Sequence, residues 1–234
     1  MRDIADLEVT QIYLYAAGQI PHKHIQTGNS VDQIRERFGF RGVMPAGSEL
    51  LFEGGVIEVP KHGKVPLTRL QLSDRRIVLS VAANSAVAAD AFGVIRSMIS
   101  QMDPGSNFDK AKPITFREET GCVVTLDIDW EGFFNPAVVR FLQGPVTEAL
   151  SDEEATVSIA HAKYRFTFSY SVKSQAIPQS GIILAPKDFV VEPLANVPLS
   201  ERRYLTGSPT DSETHLKLVQ QLESVLLGAK QKVG

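Results

Sequence analysis

Between Glu49 and Met102 the hydrophobic pattern changes once, from strand-like runs to helical spacing, and the rest of the chain is read as assembling around this stretch. Leu50, Leu51, Phe52, Val56, Ile57 and Val59 form an apolar run broken by Gly54-Gly55. Such residues suit a pleated, half-buried surface, and a glycine pair inside the run marks a bulge or bend. Pro60 to Lys64 reads as a hairpin turn. Leu70 and Leu72 then alternate with Arg69 and Gln71, Ser73-Asp74-Arg75 turns the chain, and Ile77 to Val81 forms a third strand. From Asn84 or Ser85, apolar residues at Val87, Ala91, Val94 and Met98 keep helical spacing, as do Ala88, Phe92, Ile95 and Ile99. Two adjacent apolar stripes predict a widely buried helix, which Asp103-Pro104-Gly105 ends.

Other elements follow from the same periods. Glu8 to Ala17 reads as a strand, His22-Lys23-His24 as a loop, and Ser30 as the start of a short helix closed by Gly39. The polar link Asp103 to Pro113 is the best candidate boundary between a half at 1–102 and a half at 114–234, within what could be one continuous domain. Ile114 to Arg117 and Cys122 to Trp130 read as a hairpin about Glu118-Glu119-Thr120-Gly121. Asn135-Pro136 predicts a helix running, with a break at Gly144-Pro145, through Leu150, and Thr156 to Ile159 a strand. Tyr164, Phe166, Phe168, Tyr170 and Val172 alternate with polar residues, which predicts a strand with its aromatic side buried. Gly181 to Leu184 and Phe189 to Val191 are short strands. Thr210 with Glu213 opens a closing helix that carries a stripe of His215, Leu218 or Val219, Leu222 and Val225 or Leu226, and Gly228 ends it. The theme of two strands and a helix thus recurs without a repeat of identities. The fold class is α+β: a mainly antiparallel sheet with helices packed on one face.

Composition narrows the function classes. Hydrophobic residues make up 43% of the chain, enough for a core. A net charge of -3 gives no electrostatic footprint for nucleic acid or an acidic membrane surface. Cys122 is the single cysteine, so no internal disulfide and no cysteine-rich zinc site can form. With no secretory pattern at Met1 to Asp6, we expect a cytoplasmic protein. No cofactor-binding motif is present, and no cofactor is expected.

Few residues stand out as chemistry. His22 and His24 are candidate metal ligands if the segment is extended, although a metal site needs a third ligand. Asp127 and Asp129 share one side of a strand and are candidates for acid–base work or for holding Mg²⁺. Strand alternation already accounts for them as a solvated side. Cys122 becomes a candidate nucleophile only with a histidine beside it. Lys163 and Arg165 fall opposite the aromatic side of their strand, which does not suit base stacking. The leading expectation is therefore a non-enzymatic binding or assembly protein, acting through protein–protein contacts or self-association. The alternatives are a small-ligand-binding domain, with an apolar pocket between the sheet and the C-terminal helix, and a metal-dependent hydrolase using Asp127, Asp129 and a histidine.

Overall fold

A computed structural model describes residues 1–46, 48–129, 164–168, 171–172, 182–183 and 187–231, with isolated positions at Phe133, Ala137, Arg140 and Phe141. It has an α+β architecture built on a nine-stranded antiparallel sheet. The strands are β1 (Ile4–Leu14), β2 (Gly42–Ala46), β3 (Glu49–Val59), β4 (Gly63–Leu72), β5 (Arg76–Val81) and β6 (Thr115–Thr125), followed by β7 (Tyr164–Phe168), β10 (Lys187–Pro193) and β11 (Arg203–Ser208). Their order is β2-β3-β4-β5-β1-β6-β11-β10-β7. The short strands β8 (Ser171–Val172) and β9 (Ile182–Ile183) pair with each other. The helices are α1 (His22–Ile25), α2 (Gly28–Phe38), α3 (Ser85–Met102) and α4 (Ser212–Gln231).

The organising stretch folds as its pattern predicts. Gly54 is the bend in β3, with a left-handed φ of 68° that a side chain would strain. β3 alternates between a buried and a more exposed face, whereas the end of β4 and all of β5 from Ile77 are buried on both faces. Phe52, Ile57, Leu67, Leu70, Leu72, Ile77 and Leu79 are wholly buried and share one core with Ala88, Ala91, Ile95 and Ile99 of α3. Asn84 caps α3 by accepting a bond from the Val87 amide at 3.0 Å. The link after α3 docks back on it, because the Arg96 guanidinium donates to the carbonyls of Asp109 at 2.5 Å and Ala111 at 2.6 Å.

β1 sits at the centre and pairs β5 on one edge and β6 on the other. The register places Val9 and Tyr13 opposite Thr120 and Phe116 of β6, and Thr120 opposite Ser208 of β11. Paired residues share a face, so α3 and α4 cover the same side of the sheet. Their N-termini meet there. The Ser85 amide donates to Ser212 Oγ at 3.1 Å, and the Ser212 amide donates to Ser85 Oγ at 2.8 Å. A second core lies under α4, where Cys122, Val124, Leu126, Val191, Tyr204 and Val219 pack together.

Several elements differ from the pattern reading. His22-Lys23-His24 lies in a helical turn rather than a loop. The N-cap of α2 is Thr27, whose side chain accepts from the Ser30 amide, while Gly39 closes the helix in the left-handed region as expected. Glu118 to Gly121 is not a turn but the middle of β6, bonded to β1 on one side and, at Thr120 and Gly121, to β11 on the other. The segment 203–208, with its turn-like Gly207-Ser208, is a strand. α4 is capped by Asp211, which accepts from the Thr214 amide at 2.9 Å, and it runs through Gly228. Phe166, expected to be buried, is 47% exposed. The helix expected over 135–150 and the strand expected from Thr156 lie outside the described residues, apart from Ala137, Arg140 and Phe141, which are helical.

Candidate functional site

α4 turns one side to the core and carries an apolar side next to it. Ser212, His215, Val219 and Glu223 are buried against the sheet. Leu218, Leu222 and Val225 recur at helical spacing beside that stripe. They form one wall of a groove whose other wall is Phe189 of β10 and Pro209 after β11. The groove has a volume of about 540 Å³, and among the described residues no charged side chain lines it. Leu218 is 38% exposed and Val225 is 67% exposed. The apolar surface extends to Phe166 of β7, whose ring lies 6.3 Å from that of Phe189.

Ser208 and Thr210 line the same groove, and a buried polar network stands directly behind them. Ser208 Oγ lies 2.7 Å from Thr210 Oγ1 and 2.9 Å from His215 Nδ1. The other ring nitrogen, Nε2, lies 3.0 Å from Thr206 Oγ1 and 3.4 Å from Cys122 Sγ. Thr120 completes the frame by donating to the Thr210 carbonyl at 2.8 Å. Two strands, β6 and β11, the link after β11 and one helix supply these groups. They converge because register sets Thr206 opposite Cys122 and Ser208 opposite Thr120.

The histidine that would make Cys122 a candidate nucleophile is therefore present. The electrostatics oppose that role. Burial pushes the Cys122 thiol up, against a smaller opposing effect of the Thr206 hydroxyl. Burial also pulls His215 down to about 4. A reactive pair needs a thiolate beside an imidazolium, whereas desolvation here favours two neutral partners. Cys122 is 1% exposed and His215 is fully buried, so no substrate reaches them. Labelling with a thiol reagent at neutral pH should accordingly be slow in the native protein and track global opening. One thiol should react promptly in denaturant. Rapid native labelling would show a thiolate that this packing does not allow.

The sequence candidates fall elsewhere. His22 is buried, and its Nε2 has no hydrogen-bond partner, while His24 is exposed and lies 3.5 Å from Asp103. In a helical turn, residues two apart point to different sides, so the two imidazoles do not face one ligand. Asp127 and Asp129 lie just beyond the end of β6. Asp127 pairs with Arg2 at 2.6 Å and Asp129 with Arg202 at 2.7 Å. Among the described residues, no group of three or more histidine, cysteine or acidic side chains is placed to hold a metal ion.

The opposite face of the sheet carries a polar cleft of about 300 Å³ bordered by Glu8, Glu119, Lys187 and Asp188. Its charges are mostly closed locally, through Lys187 with Glu119 at 2.6 Å and Arg165 with Asp188 at 3.1 Å.

His215 was legible as part of the buried stripe of its helix. Thr206 and Ser208 were missed because a strand ending in Gly207-Ser208 carries a turn's composition. No protein-family model matches the chain. No match is found among curated proteins either.

Proposed function

We propose that this is a non-enzymatic binding or assembly protein that acts through protein–protein contacts at the groove between α4 and β10. The exposure of Val225, at 67%, on an uncharged apolar surface carries the reading. A single exposed aliphatic residue is ordinary on a folded protein. A contiguous apolar patch that includes a groove and lacks charge has the composition of an interface centre. The groups nearest to chemistry, Cys122 and His215, are sealed behind it and held neutral, which favours binding over catalysis. The single buried thiol and the absence, among the described residues, of a helix long and apolar enough to cross a membrane suit a cytoplasmic location. Cell fractionation tests that location.

A photo-crosslinking amino acid in place of Val225 tests the reading in cells. We expect a discrete protein adduct, absent when the same probe replaces the exposed Glu58 on the far end of β3. Failure to form any protein adduct at Val225 would remove the proposal. A second reading, a site for a small apolar ligand, is favoured by the groove volume of about 540 Å³, which is in the range of ligand pockets. Native mass spectrometry separates the two, because a bound small molecule adds a fixed mass to the single chain.

A further inference from the structure

We infer that the occupant of the groove is a second copy of this chain, packed α4 against α4 about a two-fold axis; the inference rests on reading the groove as a protein-binding surface.

Charge makes the first argument. A surface helix normally turns charged residues to water. From Leu218 to Gly228 the only charged residue in α4 is Glu223, and it is 5% exposed. Its carboxylate points inward, accepting from the Asp127 amide at 2.6 Å and meeting the Met1 amino group. The outward surface over this span is therefore apolar or neutral. The nearest charges on the helix, Lys217 and Glu213, satisfy each other at 2.6 Å. The chain carries 24 basic and 27 acidic residues, and a patch dominated by either sign would bring like charges together on meeting its own image. This one brings none. It also offers no charge with which to select or steer a different, charged partner.

Spacing makes the second argument. An isologous contact requires that residue i meet residue j while j meets i. Leu218 and Val225 are two helical turns apart, with Gln221 and Leu222 midway between them. An axis through that midpoint sets Leu218 of each copy against Val225 of the other. The most exposed apolar side chain of the helix then enters the groove between Phe189 and Leu222 of the opposite copy. Gln221 comes to the axis, where an amide serves its own image as both donor and acceptor. The seam has the spacing of an antiparallel helix pair, with apolar residues at i, i+4 and i+7.

Sedimentation velocity on the purified full chain tests the inference. We expect a species of twice 25.6 kDa at micromolar concentration. Val225→Glu should weaken it by roughly 100-fold or more, since a carboxylate would be buried without a partner. Val225 projects into solvent in the single chain, so the variant should keep its circular dichroism, and its melting temperature should match that of the wild type at dilutions where the wild type is also monomeric. Gln221→Cys should form a disulfide-linked dimer on mild oxidation, because only residues near the axis bring their Cα atoms within about 7 Å. Glu213→Cys, a turn or more from the axis, should not. A dimer that survives Val225→Glu, or a wild-type chain that remains monomeric at about 100 μM, overturns the inference. In the second case, a crosslink from Val225 to a different protein leaves the binding surface standing, whereas no protein adduct at all removes both.

Discussion

Adding one methyl group at Gly55 is expected to destabilise the fold by about 3 kcal/mol, with the native state the side that suffers. A Cβ built there stands 2.7 Å from the Phe40 ring and 2.8 Å from the carbonyl oxygen of Phe38. Neither can yield cheaply. Phe40 is 5% exposed, and its ring is held between those of Phe38 at 5.9 Å and Phe52 at 5.2 Å. The Phe38 carbonyl is backbone at the last residue of α2, fixed by the left-handed Gly39 that follows. One methyl would therefore push the end of α2 off β3. In a chain of this size the loss corresponds to a fall in melting temperature of roughly 6–12 °C. Gly93→Ala should act in the opposite direction. Gly93 lies inside α3, and apart from its chain neighbours and its own helix backbone nothing among the described residues lies within 4 Å of an added Cβ. Alanine there gains about 0.5–1 kcal/mol from helix propensity alone. Thermal melts of the two variants beside the wild type check both signs. A Gly55→Ala protein that melted with the wild type would mean that α2 does not seat on β3 as described.

The same glycine shows what the chain reveals on its own. Gly54-Gly55 interrupts an apolar run, and that alone predicts a bend. Which of the two bends and which makes room is not readable, because the reason for Gly55 is the Phe38 carbonyl and the Phe40 ring, which lie outside the run itself. The elements that matched their reading are those set by local chemistry. α3 has its asparagine cap and two apolar stripes, and β3 to β5 are apolar runs separated by tight turns. The elements that differed are set by pairing. Glu118 to Gly121 has a turn's composition, yet β1 offers Glu118 to Gly121 its pairing partners, and β11 does the same for Thr120 and Gly121. Two flanking ladders outweigh a weak local preference, since β-propensity depends on context. The same holds for Gly207, which lies opposite Gly121 in the ladder.

The candidate site divides along the same line. One alternative reading of the sequence places an apolar pocket between the sheet and the closing helix; the groove observed runs along the outer side of that helix, against Phe189 and Pro209. That Leu218 and Val225 fall outside the buried side could not be read from spacing, because α4 covers only part of the sheet's width and its adjoining apolar side overhangs Phe189. Convergence of Cys122, Thr206, Ser208 and His215 was equally hidden. It needs the register of β6 with β11, which no local pattern encodes. Asp127 and Asp129 illustrate the reverse case, a local signal without a tertiary one: each carboxylate is taken up by its own arginine.

Acid should act through His215. Its pKa is lowered from 6.5 to about 4 by burial, so between those values the unfolded chain binds a proton that the folded chain refuses. The sign follows directly. The stability from the neutral, buried ring is complete above 6.5 and is lost as the pH falls toward about 4. A shift of this size corresponds to about 3 kcal/mol, most of it gone by about pH 4.5. His215→Asn keeps a donor and an acceptor but cannot titrate. At pH 7.5 it should be less stable than the wild type by about 1–2 kcal/mol, because the amide does not reproduce both ring contacts. On acidification the wild type should lose more, so the two stabilities should converge and cross near about pH 5. Denaturant unfolding of both proteins at a series of pH values reads this directly. Parallel curves would mean that His215 is not held neutral. The consequence reaches the groove, because the ring that titrates is bonded to Ser208, and Ser208 and Thr210 form part of the groove wall. Binding at the groove should therefore weaken over the same pH interval in the wild type, and less so in His215→Asn.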